Sequence, residues 1–340
     1  MKTITAREHD LILAVRNEGL TALPPGVFEK DLLLTDILQA INAADREGIG
    51  LVFCGGTCLS KAHGLIDRMS EDIDFKLVVP QGLSRSARSR MLSQYKKRLA
   101  RDLVQLGFHV PADQIVARDE NSYVSLNLHY ESRFPPVASL RTEIKVELNA
   151  RPPVLPTLLL PIRSMLSTLT RESASDVSIE CIGVEETLAE KVLSFLRRTA
   201  EARAGRNRAE YDDRLVRHLY DVRAIARGRD DLQLPHEHFA AMVAGDAAQY
   251  RNQYPEFEQD PMGQMRVVMD ALHSDHEAFE RDYLQFVDEL VFGESVPFAE
   301  ARSVFIELGE RLMSGLTPSP KSEAALQRMA DNAREIDLDY

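Results

Sequence analysis

The chain has 340 residues, of which 44% are hydrophobic and 28% charged, enough for two domains with cores of their own. A net charge of −12 excludes a protein that coats nucleic acid through bulk electrostatics, although not one with a local basic surface. Cys54, Cys58 and Cys181 are too few, and odd in number, for a disulfide framework, and no stretch has the apolar length of a signal peptide or membrane span; a reduced, cytoplasmic protein with no membrane partner is expected.

Residues 7 to 48 read as helical, in two runs split by Leu23-Pro24-Pro25-Gly26. Leu51-Val52-Phe53-Cys54 reads as a short buried strand ending at Gly55-Gly56, and a helix from about Thr57 to Leu65 follows. A polar loop with Arg68 and Ser70 then delivers a strand in which Ile73, Phe75 and Leu77 alternate with Asp72, Asp74 and Lys76. Side chains two apart share a strand face, so the two aspartates project together, away from the core. Leu83 to Leu106 predicts a basic amphipathic helix. Two more strands are expected, Tyr123 to Tyr130 and Leu140 to Asn149, the second alternating Ile144, Val146 and Leu148 with Glu143, Lys145 and Glu147. If that strand neighbours the Asp72 strand, Glu147 or Glu143 lies beside the aspartates. The proline-rich stretch Arg151 to Pro161 reads as a linker or strap. From Val184 onward the pattern is helical: Glu185 to Thr199, Arg214 to Ala226, and three or more helices between His236 and Met313. The expected organisation is an N-terminal helical segment (1–48) packed on an α/β domain (49–160), a helical domain (161–313) and a tail (314–340).

The ordered set of Gly55-Gly56-Thr57, Lys61, Arg68, Ser70 and Asp72-Ile73-Asp74 points to nucleotide chemistry. Phosphates bind where backbone amides converge at a glycine turn leading into a helix, and Lys61, one turn in, can reach a phosphate oxygen. Mg²⁺ carried by a nucleoside triphosphate takes one or two carboxylates beside phosphate and water, and Asp72 and Asp74 are spaced to supply them. A third carboxylate, Glu147 with Glu143 behind it, would complete a two-metal arrangement for in-line transfer. Two arginine-rich clusters, from Arg85 to Arg101 and from Arg197 to Arg217, read either as solvated helix faces or as basic surface for an acceptor. His236-Glu237-His238 lacks zinc-site spacing and reads as a loop or helix start.

The runs Phe28-Glu29-Lys30-Asp31, Val52 to Lys61 and Arg68 to Phe75 resemble the AbiEii/AbiGii-type nucleotidyltransferase toxins of type IV toxin–antitoxin and abortive-infection systems. The similarity continues through Glu190-Lys191-Val192-Leu193, Tyr211 to Asp221, Asp282-Tyr283 and the Phe-Gly-Glu stretch that follows, covering roughly residues 25 to 310. The resemblance implies a minimal, polymerase-beta-like α/β nucleotidyltransferase fold of mixed sheet with flanking helices, followed by a helical domain. It implies that Gly56, Thr57 and Lys61 contact the triphosphate and that Asp72 and Asp74 hold Mg²⁺ (or Mn²⁺). Lys191 would bind phosphate and Asp221 would orient it or assist the acceptor, although the two also read as a structural ion pair. The implied activity is transfer of a nucleoside monophosphate from an NTP to RNA, often the tRNA 3′ end, blocking translation or phage growth, with a cognate antitoxin acting directly or indirectly. A basic cleft lined by the arginine clusters would hold that RNA. Rivals are a protein acceptor on the same fold, and a catalytically inactive binding protein. One departure is Cys54, where family members often carry a lysine before the glycine pair.

Overall fold

The computed structural model describes residues 1–171, 177–206, 212–229 and 231–316. The chain forms two compact units: Met1–Val184 completed by Leu290–Glu294, and Glu185–Glu289 continued from Ser295. The first unit therefore runs well past the boundary expected at residue 160.

In the first unit, α1 (Ala6–Asn17) starts at a capping box in which Thr5 and Glu8 satisfy one another's backbone N–H groups. Pro25 opens α2 (Pro25–Ala43), where its missing N–H costs nothing. β1 (Gly50–Cys54) leads into α3 (Gly55–Lys61), and β2 (Asp72–Val78) into α4 (Arg85–Gln105), capped by Ser84. Next come β3 (Ile115–Arg118), β4 (Tyr123–His129), β5 (Glu143–Asn149), β6 (Leu158–Pro161), α5 (Met165–Thr170) and β7 (Ser178–Cys181).

The strands make one mixed sheet in the order β3-β4-β5-β2-β1-β7-β6. β6 pairs antiparallel with β7, so the proline-rich stretch expected to be a linker supplies an edge strand. Proline is tolerated there because one side of an edge strand needs no ladder donor. Antiparallel register places Leu51 opposite Leu77 and Phe53 opposite Phe75, the two rings 5.5 Å apart, while Cys54 opposes Asp74 on the other face. Leu33, Ile37, Leu38 and Ile41 of α2 and Leu92, Leu99 and Leu103 of α4 are buried, and the two helices pack on one another. The polar face of the sheet is thereby left to carry Asp72, Asp74, Lys145 and Glu147.

The second unit is helical: α6 (Val184–Arg203), a 3-10 turn (Asp213–Val216), α7 (Arg217–Gly228), α8 (His236–Tyr250), α9 (Pro255–Gln259), α10 (Pro261–Ser274), α11 (Glu277–Leu290) and α12 (Phe298–Met313). Phe195 meets Phe305 edge-on at 5.0 Å in its core. His236 and His238 are exposed at the start of α8. The three cysteines are buried and form no disulfide among the described residues. Tyr211, Arg208 and the tail from residue 317 lie outside the described residues.

Candidate active site

The turn from β1 into α3 is built on Gly55, whose φ of +78° glycine adopts without strain. A Cβ at Gly55 would stand 3.0 Å from Cγ of Asp74 and nearer still to its Oδ2. At Gly56 it would stand 2.7 Å from Nη2 of Arg68 and 2.8 Å from Oγ of Ser70. The glycine pair thus lets a carboxylate, a guanidinium and a hydroxyl rest on backbone. Gly55, Gly56, Thr57, Arg68, Ser70 and Asp74 are brought together as the sequence order suggests.

The loop carrying Arg68 and Ser70 is supported by the returning segment Leu290–Glu294. Met69 N–H donates to the Leu290 carbonyl at 2.9 Å, and Phe292 N–H donates to the Asp67 carbonyl at 2.9 Å. A side chain at Gly293 would collide with Asp67, which explains the glycine of the Phe-Gly-Glu stretch. Thr57 donates its hydroxyl to the Asp72 carbonyl and lies 2.9 Å from Ser70 Oγ. That buried side chain ties α3 to β2.

Lys61 is held by α2. Its Nζ donates to Asp31 Oδ1 at 2.5 Å, to the Asp31 carbonyl at 3.1 Å and to Thr35 Oγ1 at 2.8 Å, and the residue is buried. An ammonium has three donors, and in this structure all three are directed within the fold, to α2, where a phosphate contact was expected. The neighbouring charges of α2 behave alike. Lys30 is buried against Glu71 and donates to the Arg141 carbonyl at 2.7 Å, while Glu71 accepts the Arg141 N–H at 2.7 Å. Burial lowers the Lys30 pKa, opposed by Glu71. Glu29 accepts the Arg133 N–H at 2.8 Å. The signal available in the sequence was three consecutive charges within an otherwise apolar helix, which cannot all reach solvent.

β2 and β5 are parallel, with Asp74 opposite Glu147 and Asp72 opposite Lys145. Glu147 is therefore the carboxylate beside the pair, and Glu143 pairs instead with His129. Glu147 accepts the Tyr123 hydroxyl and lies 2.7 Å from Lys145 Nζ. Burial works to raise its pKa, but Lys145, Tyr123 and Asp74 together hold it below the usual carboxylate range. Asp72 Oδ1 accepts from Arg141 Nη1 at 2.7 Å, a partner sequence reasoning missed because it arrives from a loop.

Among the described residues, no three His, Cys, Asp or Glu side chains are gathered as a metal-ligand group. The expected three carboxylates share one face by register, but Arg141 holds Asp72 and Lys145 holds Glu147. Their donor chemistry, hard oxygens on adjacent strands, fits Mg²⁺ or Mn²⁺ bound with phosphate oxygens.

In the second unit, Lys191 on α6 lies 2.5 Å from Asp221 on α7, both buried. His218, on the same helix face as Asp221, is held neutral well below its usual pKa by burial, with Lys191 and Arg217 adding to the shift. The arginines expected to line a basic cleft are engaged. Arg197 is buried, donates to Asp246 at 2.6 Å and Glu201 at 3.0 Å, and lies 3.7 Å over the Tyr250 ring. Arg198 and Arg217 share Asp212, Arg203 pairs with Asp275, and Arg206 with Glu256. Arg197 is thereby held inside the fold, whereas Arg203 and Arg206 pair with acids at the surface and keep contact with solvent.

A mixed sheet with Asp72 and Asp74 on β2 beside a glycine turn, and Glu147 opposite Asp74 on β5, is the arrangement expected of a nucleotidyltransferase. The family described as nucleotidyl transferase AbiEii toxin, type IV TA system, matches residues 36–307, and the chain belongs to that family. MenT4, a nucleotidyltransferase toxin from Mycobacterium tuberculosis H37Rv, shares the fold: TM-score 0.57 at 18% identity, over 96% of this chain and 98% of that one. An antigenic nucleotidyltransferase-like protein from Paracoccidioides brasiliensis gives a TM-score of 0.31 at 15% identity, over 78% and 95% of the two chains. No curated protein matches the chain in sequence. Among the described residues no helix is long and apolar enough to cross a membrane.

Proposed function

We propose that this chain transfers a nucleoside monophosphate from an NTP to an RNA acceptor, with the 3′ end of tRNA as the candidate, in a reaction dependent on Mg²⁺ or Mn²⁺. The observation that carries this reading is the Asp74 carboxylate resting on Gly55 with Glu147 opposite it. Two carboxylates opposite one another on adjacent strands repel unless a proton or a cation lies between them. When bound at Asp72, Asp74 and Glu147, the divalent ion supplies positive charge to the phosphoryl oxygens and to the attacking hydroxyl.

The remaining work falls to the chain's own groups. Backbone N–H groups of the first turn of α3, unsatisfied within the helix, hold phosphate oxygens, and Arg68 and Ser70 add side-chain donors. Lys191 is proposed as a phosphate ligand, with Asp221 fixing its ammonium. The acceptor hydroxyl gives up its proton to solvent and attacks the α-phosphorus; a new P–O bond forms, the bond from that phosphorus to the α,β-bridging oxygen breaks, and pyrophosphate leaves. Positioning and charge stabilisation are the protein's contribution, and no protein nucleophile is needed. RNA modified in this way would block translation or phage growth, and membership of a type IV toxin–antitoxin family supports restraint by a cognate antitoxin.

Incubation of the protein with α-labelled NTPs, total RNA and total protein tests the reading. Label is expected in RNA, lost with chelator or with Asp74→Asn. Label in protein alone would overturn the RNA acceptor in favour of a protein acceptor. No label at all, with growth inhibited equally by wild type and Asp72→Asn, would make the chain a binding protein.

A further inference from the structure

We infer that the outward face of α4 is a docking strip for the sugar-phosphate backbone of RNA; this rests on the proposed RNA acceptor. In a protein of net charge −12, this one helix carries seven arginines and lysines and a single acid, Asp102. Four of the seven are engaged. Arg85 pairs with Glu120, Arg88 donates to Ser122 and the Ala150 carbonyl, Lys96 donates to Asn121, and Arg98 pairs with Asp45 and Glu47. Arg90, Lys97 and Arg101 make no ion pair or side-chain hydrogen bond among the described residues, and all three are exposed.

Their spacing puts them on a single face. Ser86, Arg90, Gln94, Lys97, Arg101 and Gln105 recur at intervals of three or four and are all exposed, while Leu92, Tyr95, Leu99 and Leu103 are buried on the opposite side. From Arg90 to Arg101 the strip runs about 16 Å, enough to follow several phosphates of one strand. Stability would select the reverse charge order at its beginning. Helix N-termini favour acids, yet the first turn of α4 has none and Arg85, Arg88 and Arg90 crowd that end. The contrast with the second unit is equally direct, since its arginines face acids at every position described above.

The strip offers hydrogen-bond donors and positive charge. Its sole exposed large apolar side chain is Val104, at one end. A protein interface would need an apolar core, whereas a phosphate backbone needs regularly spaced cations.

The test is binding of fluorescently labelled bulk tRNA by full-length wild type and the Arg90→Ala/Lys97→Ala/Arg101→Ala variant between 50 and 200 mM salt. Each single-strand phosphate contact contributes roughly 0.7 to the slope of log affinity against log salt, so the variant's slope is expected to be shallower by about two. Affinity at the lowest salt is expected to fall at least about 10-fold, with kcat unchanged and KM for RNA raised in the transfer assay. Alanine is a strong helix former at exposed positions, so the melting temperature should hold. An unchanged slope while wild type still labels RNA would overturn the strip alone. Absence of label in RNA would overturn the acceptor reading instead. RNA binding intact with loss of an acidic protein partner would also overturn the strip.

Discussion

Replacing Gly55 with alanine is expected to separate the strain of the turn from the placement of Asp74, provided Gly64→Ala is measured beside it. Both glycines are left-handed, with φ of +78° and +64°. Each substitution therefore carries the backbone cost of placing an L side chain there, about 1–2 kcal/mol. At Gly64 nothing lies within 4 Å of the new methyl group, so the cost ends there. At Gly55 the methyl group meets Cγ of Asp74 at 3.0 Å and Oδ2 closer still, so the carboxylate must shift by about 1 Å, a misplacement that typically costs on the order of 100-fold in rate. In free energy that is about 2.7 kcal/mol of lost transition-state stabilisation. The assays are thermal melting and labelled nucleotide transfer. Gly64→Ala should lose about 2–4 °C per kcal/mol and keep its rate; Gly55→Ala should lose at least as much stability and nearly all activity. Full transfer by a folded Gly55→Ala protein would refute the assignment of Asp74 to the reacting site.

Lys30→Met should destabilise the fold by about 3–5 kcal/mol in urea unfolding, because the buried Glu71 carboxylate loses its ammonium partner, and Lys30→Met/Glu71→Met should recover most of it. Equal losses in the single and double variants would contradict this. Lys61→Met should lower stability through Asp31 with little change in KM for NTP; a raised KM at unchanged stability would restore Lys61 as a phosphate ligand. His218 gives a pH signature. Its folded pKa lies well below 6.5, so the unfolded chain takes up a proton first. Its stabilisation is complete above about 6.5 and is lost as pH falls below that towards the folded value, at up to about 1.4 kcal/mol per pH unit. Lys191, Arg217 and Arg198 oppose the proton and Asp221 favours it. Stability of His218→Asn should fall less steeply with acid; a profile identical to wild type would refute the assignment.

The strand carrying Asp72 and Asp74 was legible because a period of two is a local property of the chain, and the glycine turn because only backbone without Cβ admits so close a neighbour. The partner at Asp74 was narrowed only to Glu147 or Glu143, since the offset between β2 and β5 depends on a pairing across 73 residues of sequence. The partners of Lys61 are hidden from the sequence for a related reason. Helix geometry states how far an ammonium reaches, but not that Asp31, thirty residues earlier, reaches it first. Arg197 shows the same limit, for a charged residue on an amphipathic helix looks identical in sequence whether it meets water or Asp246. Arg141 left no local trace, because its backbone is fixed by Lys30 and Glu71 from elsewhere in the chain.

The segment Leu290–Glu294 bears on how the protein is made. Because it supplies the carbonyl that receives Met69 and the amides that fasten Asp67, the bed beneath Arg68 and Ser70 is absent until the ribosome has passed those codons. A growing polypeptide that already contains every strand would lack a finished catalytic pocket. Any nucleotide transfer would then begin only after residue 294 has been made, and a premature stop before that point should yield an inactive fragment.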